Sequence, residues 1–200
     1  MTIIHTASGK AIDLLVIDAS QLCIRDIAYS LSNINRFYGH TLRPISVAEH
    51  SLIVCEIMAR HFGITSPSVL LAALLHDAHE ALVGDVAQPV KQLLGPAWRD
   101  EEDRIQRVVL KRFGVYTAFV THRHEIHDAD MHALTSEREQ LIHPDAQDVW
   151  PCQVTHPALD WVRYGSASQF SPDDWRHAFF ARYQELTSAL SLQHSQLKTA

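Results

Sequence analysis

The chain has few cysteines, and none of them are paired in sequence. Cys23, Cys55 and Cys152 are scattered, odd in number and form no CxxC. A disulfide framework and a zinc ribbon are therefore excluded, and reduced thiols of a cytoplasmic protein are expected. Basic residues are also scarce: 17 Lys and Arg stand against 23 Asp and Glu, a formal charge of −6. A protein that coats a nucleic-acid polymer is usually basic, so no such partner is expected. A small anion is still compatible, because a bound metal can reverse the local field that net charge suggests. No apolar run approaches the roughly 18 residues of a membrane span. No basic stretch leads into an apolar one near the N-terminus, so no signal peptide is expected. Internal repeats and low-complexity blocks are absent as well.

What remains is an ordinary globular composition, 46% apolar and 20% charged over 200 residues. That length suits one domain with a single core, here placed at residues 1–190 with a flexible tail at 191–200. Histidine is abundant, with 14 copies. Histidine is the commonest metal ligand, but position has to decide which copies matter.

The pattern along the chain is helical. Residues 2–17 read as a short extended hairpin turning at Ser8-Gly9-Lys10. A helix follows from about Arg25 to Asn35. Ser46-Val-Ala-Glu49 has the form of a capping box and opens a helix through His61. Ser66-Pro67 starts the next, strongly apolar helix, predicted to run from Ser68 to about Val83 and to end at Gly84. Further helices are predicted at 97–113, at 117–142 and from Ser171 to about Leu190, with a long irregular connection over 143–171. Trp161, Trp175, Phe179 and Phe180 read as core residues of the final helix and its lead-in. Helix follows helix without a central sheet, so the expected class is all-α, a helical bundle with a short N-terminal extended hairpin.

The chemistry concentrates at His76-Asp77-Ala-His79-Glu80, where the most apolar helix ends in ionisable residues. Burying such groups is costly unless they are paired or bound to metal. His50 lies one turn into the capped helix. In His127-Asp128-Ala-Asp130-Met-His132, helical periodicity turns Asp130 inward, on the face of Ala133, Leu134, Glu137 and Leu141, and turns Asp128 to solvent. His122, His124, His127 and His132 read as surface or supporting residues. His50, His76, Asp77 and Asp130 would make a mixed nitrogen and oxygen set. Such a set suits a transition metal better than calcium, with positions left for water or a phosphate oxygen.

The order of these four residues resembles the HD-domain phosphohydrolases, in which a histidine, an adjacent His-Asp pair and a distant aspartate come from different helices. The stretch from His76 to Lys91, His-Asp-Ala-His-Glu-Ala-Leu-Val-Gly-Asp-Val-Ala-Gln-Pro-Val-Lys, is similar to the HDxxExxxGDxxxPxK stretch of their 5′-deoxynucleotidase branch. Thr6 to Leu14, Arg36 to Thr41 and Ser46 to Ser51 look like segments of a bacterial and phage subgroup that includes phage enzymes hydrolysing dATP. The resemblance covers roughly residues 5–187.

The resemblance implies one divalent metal (Co, Mn, Zn, Fe or Mg) held by His50, His76, Asp77 and Asp130. Glu80 and Asp85 would position and deprotonate the attacking water or protonate the leaving oxygen. Arg36 and Lys91 would contact phosphate, Phe37 could stack on a base, and Pro89 would shape the pocket wall. His40, Thr41 and Arg43 could extend the anion site. The implied reaction takes a deoxynucleoside triphosphate, with dATP as the first candidate, to deoxynucleoside and triphosphate. The alternatives are phosphate release from deoxynucleoside monophosphates or a non-catalytic nucleotide-binding regulator. A phosphodiesterase reading would need further histidine ligands at set positions, and these are not evident. The expected partner is a small nucleotide, with no membrane, and the chain is expected to form a homo-oligomer in the cytoplasm of a bacterial cell or a phage-infected host.

Overall fold

A computed structural model describes residues 2–146, 150, 152–159 and 170–199. The expected hairpin is present: β1 (Ile3–His5) pairs antiparallel with β2 (Ala11–Asp13), with Ile4 opposite Ile12. The other described elements are helical, so the fold is the all-α bundle that the pattern implied. The helices are α1 (Ile24–Asn33), α2 (Val47–Arg60), α3 (Pro67–Leu74), α4 (Glu80–Val83), α5 (Gln88–Leu94), α6 (Pro96–Arg112), α7 (Tyr116–Thr121), α8 (Arg123–Leu141), α9 (Cys152–Thr155) and α10 (Pro172–Thr199).

Helix α2 is the hub. It packs against α1, α3, α8 and α10, and α10 also crosses α1 and α3. Its apolar residues Ile53, Val54, Ile57 and Met58 are fully enclosed, as are Leu71 to Leu75 around the end of α3. From the last helix, Trp175 and Phe179 enter this core as expected, and Phe180 packs against it half-buried. Trp161 lies outside the described residues. Truncating one of the enclosed leucines to alanine costs about 2–5 kcal/mol in cores of this kind. Cys23 and Cys55 are free thiols. No described helix is long and apolar enough to cross a membrane.

Four boundaries differ from the sequence reading. The helix predicted from Ser68 to Val83 is two helices, α3 and α4, separated by turns over residues 75–79. The helix predicted over 117–142 is also split, because the backbone leaves helical geometry at His122 (φ −109°, ψ 26°). There α7 packs on α3 whereas α8 packs on α2, and one straight rod cannot serve both partners. The proline-containing stretch after Ala87 forms α5, with Pro89 in its first turn, where a missing amide costs nothing. The last helix continues to Thr199 rather than ending near Leu190.

Candidate metal centre

Each element delivers its side chain to the site for a local reason. Ser46 caps α2 by accepting the Glu49 amide at 3.1 Å. The Glu49 carboxylate does not return to the Ser46 amide as a full capping box would. It takes both terminal nitrogens of Arg43, at 2.6 and 3.0 Å. Arg43, which the sequence offers as an extension of the anion site, is thereby paired with Glu49. Thr41 is likewise turned to the Arg43 carbonyl, at 2.6 Å, and His40 is exposed. One residue after Glu49, His50 is completely buried.

The break after α3 places the next pair. Over residues 75–82 the amides of Ala78, Glu80 and Leu82 bond three residues back, to Leu75, Asp77 and His79. This winding is tighter than an α-helix. The His76 Nδ1–H donates to the Ala73 carbonyl at 2.8 Å, an oxygen that also takes the His76 amide at 3.4 Å. The ring is held so that His76 Nε2 lies 3.1 Å from Asp77 Oδ2. The divergence of about 100° expected for neighbours on a continuous helix does not apply here.

Helix α8 supplies the rest. Asp130 Oδ1 is 3.1 Å from His50 Nε2, and Asp77 Oδ2 is 3.6 Å from the same nitrogen. The His50 and His76 rings are 5.3 Å apart. His50, His76 and Asp130 each offer one ligand atom, all within 4.8 Å of one another. The periodicity argument for Asp130 over Asp128 holds, since Asp128 instead faces His156 at 3.2 Å. Of the neighbouring histidines, His124 and His127 are exposed, but His132 is buried and donates from Nδ1 to the Pro157 carbonyl at 2.8 Å.

The support for His50 comes from Glu137, which helical periodicity alone places on the inward face of α8. Glu137 accepts the His50 Nδ1–H at 2.6 Å through one oxygen and the Arg36 Nε–H at 3.0 Å through the other. All three side chains are buried. Burial disfavours the Arg36 cation, but Glu137, Asp85, Asp130 and Asp77 outweigh it and hold the guanidinium above its ordinary range. Burial and Arg36 also oppose a charge on His50. Glu137 and Asp130 prevail and push His50 up to about 10 in the metal-free protein. Burial acts against the carboxylates of Asp77 and Asp130 too, yet the histidines hold both below their usual range, with His76 dominant at Asp77 and His50 at Asp130.

Two tests of fit to a metal come from the donor atoms themselves. Both Nδ1 atoms are tied, to a carboxylate and to a carbonyl, which is how metal-ligating histidines are commonly oriented. Both Nε2 atoms are buried and make no hydrogen bond. Two free imidazole nitrogens facing two carboxylates match a divalent transition metal.

Around this centre, Glu80 is buried and its carboxyl is held well above the ordinary range by burial, Asp77 and Asp85. Asp85 follows Gly84, whose φ of +82° lets the chain turn sharply after α4. Burial raises Asp85 as well, against the pull of Arg36. Phe37 sits under the Arg36 guanidinium, 5.5 Å from its ring centre, and 6.1 Å from Trp150. Phe37 and Tyr38 adopt positive φ (54° and 53°), a conformation rare outside glycine. The Tyr38 hydroxyl accepts the Ala87 amide at 3.2 Å, which links this bend to the start of α5. Lys91 pairs with Glu102 at 2.7 Å. Pro89 is exposed. Glu102 and His79, to which local sequence pattern assigns no role, lie 3.6 Å apart beside Glu80.

Residues 30–190 match the HD domain family. The chain belongs to that family. It is 34% identical over 187 residues to the uncharacterized protein YfdR of Escherichia coli K12, covering 94% of this chain and 97% of that one. It is also 35% identical over 188 residues to an uncharacterized protein of Rhodobacter capsulatus, covering 92% and 95%. Membership of the HD superfamily makes the protein a metal-dependent hydrolase with a clustered His and Asp set able to hold a divalent ion.

Proposed function

We propose that this HD-domain protein hydrolyses deoxynucleotides at the α-phosphorus, taking a deoxynucleoside triphosphate, dATP first among them, to deoxynucleoside and triphosphate. The observation that carries the reading is Arg36. A buried guanidinium shares Glu137 with the metal-ligand histidine His50 and faces Asp77, Asp85 and Asp130. A cation placed there is suited to a phosphate bound at the same centre.

His50, His76, Asp77 and Asp130 would hold the ion. Bound there, a divalent cation acidifies a water and offsets phosphate charge. Arg36 binds a non-bridging phosphate oxygen while Glu137 keeps the guanidinium in place. Glu80 accepts the proton of the attacking water, a task favoured by the burial and neighbouring carboxylates that raise its proton affinity. The bond from phosphorus to the 5′ oxygen breaks, and the proton passes from Glu80 to that oxygen. Asp85 orients the water or the leaving oxygen, and Phe37, under Arg36, gives the base an apolar face. Lys91 reaches the phosphates when Glu102 releases it, and Pro89 borders that approach. The partner is thus a small nucleotide, and a homo-oligomer in a bacterial or phage-infected cytoplasm remains part of this reading.

The similarity of residues 76–91 to the 5′-deoxynucleotidase stretch supports a second reading, phosphate release from deoxynucleoside monophosphates through the same residues. Turnover of a panel of dNTPs, rNTPs and dNMPs separates the two, using metal-stripped protein reloaded with Co, Mn, Zn, Fe or Mg. Nucleoside plus triphosphate is the expected product. Phosphate from dNMPs alone would move the assignment to a nucleotidase. Metal binding without turnover of any nucleotide would overturn both readings and leave a regulator.

A further inference from the structure

A second group of ligand-type side chains lies beside the first centre and uses none of its metal ligands. His79 and Glu80 stand at the start of α4, and Glu102 faces them from α6. One ligand atom from each lies within 4.8 Å of the others. His79 is 3% exposed, and neither of its ring nitrogens makes a hydrogen bond. Glu80 Oε2 is also buried and without a hydrogen bond. An interior imidazole with both nitrogens unmatched carries a desolvation cost that a structural histidine normally avoids through at least one hydrogen bond. His79 Nε2 points at Glu102 Oε1, at 3.6 Å. The nearest cation is the Lys91 ammonium, 2.7 Å from that same oxygen.

The geometry points to a second divalent-cation site formed by His79, Glu80 and Glu102, with the Lys91 ammonium standing in for the ion when none is bound. One imidazole and two carboxylates suit Mn²⁺ or a similar transition metal, with the remaining positions open to water or an anion. Without a cation, two carboxylates and a buried imidazole would face each other unbalanced, and Lys91 supplies a single positive charge. A divalent ion supplies two and accepts the imidazole lone pair directly, whereas the single charge of Lys91 is placed on Glu102. Ion binding releases Lys91 from Glu102. The lysine is then free to meet an anion next to both centres, so loading of this site and anion capture by Lys91 are linked.

The test is Mn²⁺ titration of metal-stripped protein, with free Mn²⁺ followed by electron paramagnetic resonance. It needs no turnover and so stands apart from the substrate question. The wild-type chain is expected to bind two ions, and His79→Ala and Glu102→Gln are expected to bind one each. Lys91→Met removes the competitor, so it should keep two ions and bind the second about tenfold or more tightly. Glu102→Gln preserves shape and answers the question if His79→Ala proves unstable. One ion in both the wild type and Lys91→Met, or two ions retained in Glu102→Gln, would overturn the proposal.

Discussion

Glu137 accepts the His50 ring proton at 2.6 Å across 87 residues of sequence, and its other oxygen takes Arg36 at 3.0 Å. Glu137 therefore sets both the direction of His50 Nε2 and the place of the guanidinium. Partners that orient a metal-ligating histidine typically contribute about 10–100-fold to metal affinity. Glu137→Gln is expected to weaken metal binding by that factor, as measured by competition with a chelating dye. Glu137→Ala leaves Arg36 buried without its partner and should cost about 3–5 kcal/mol in urea unfolding. Unchanged metal affinity in Glu137→Gln would remove the orienting role.

The metal-free centre carries a pH signature. His50 is pushed up to about 10 when folded, from an ordinary value of 6.5. The folded state thus holds its proton more tightly than the unfolded one. This contribution to stability is fully present below about pH 6.5 and fades as pH rises through 10. Urea midpoints of chelator-treated protein should fall between pH 7 and 10.5, and His50→Gln should flatten that fall. Metal binding needs the neutral ring, so in the same window apparent metal affinity should rise about tenfold per pH unit.

Glu80→Gln separates chemistry from binding. Loss of a positioned proton carrier costs about 10²–10⁴-fold in kcat. The variant should lose that much turnover while keeping metal at His50 and His76, measured by elemental analysis of the purified protein. Retained turnover would rule out Glu80 as the proton carrier.

Arg36→Lys keeps a charge but loses the planar fork. With nucleotide as substrate, kcat/KM should fall on the order of 10²-fold. The same change should leave the metal content intact, and a loss confined to metal content would argue that Arg36 serves only Glu137.

Gly84→Ala probes the turn into Asp85. The backbone there sits at φ +82° and ψ 163°, a region that is essentially glycine-only. A Cβ would meet nothing within 4 Å, so the whole penalty is conformational, on the order of 1–3 kcal/mol. Thermal unfolding measures it, and an unchanged melting temperature would show that the turn is not under strain.

Local pattern was enough to pick out the residues that gather at the candidate metal centre, and most helices. His50 follows a serine cap by one turn, His76-Asp77 ends the most apolar run, and Asp130 lies on the inward face of α8. These features are legible because capping and helical periodicity depend on residues only a few positions apart. The tertiary structure decided the rest. Arg36 is brought to the centre by backbone pairing of its amide with the Ile45 carbonyl at 2.9 Å, and it meets Glu137 from 101 residues away. Arg43 is drawn to Glu49 and Lys91 to Glu102, pairings that residue type alone does not specify. The apolar run after Ser68 could not announce its own break at residues 75–79, because the break answers to packing and to His76 bonding the carbonyl of Ala73. Which charge pairs with which, and where a helix yields, are settled by contacts between distant segments, and no local periodicity encodes them.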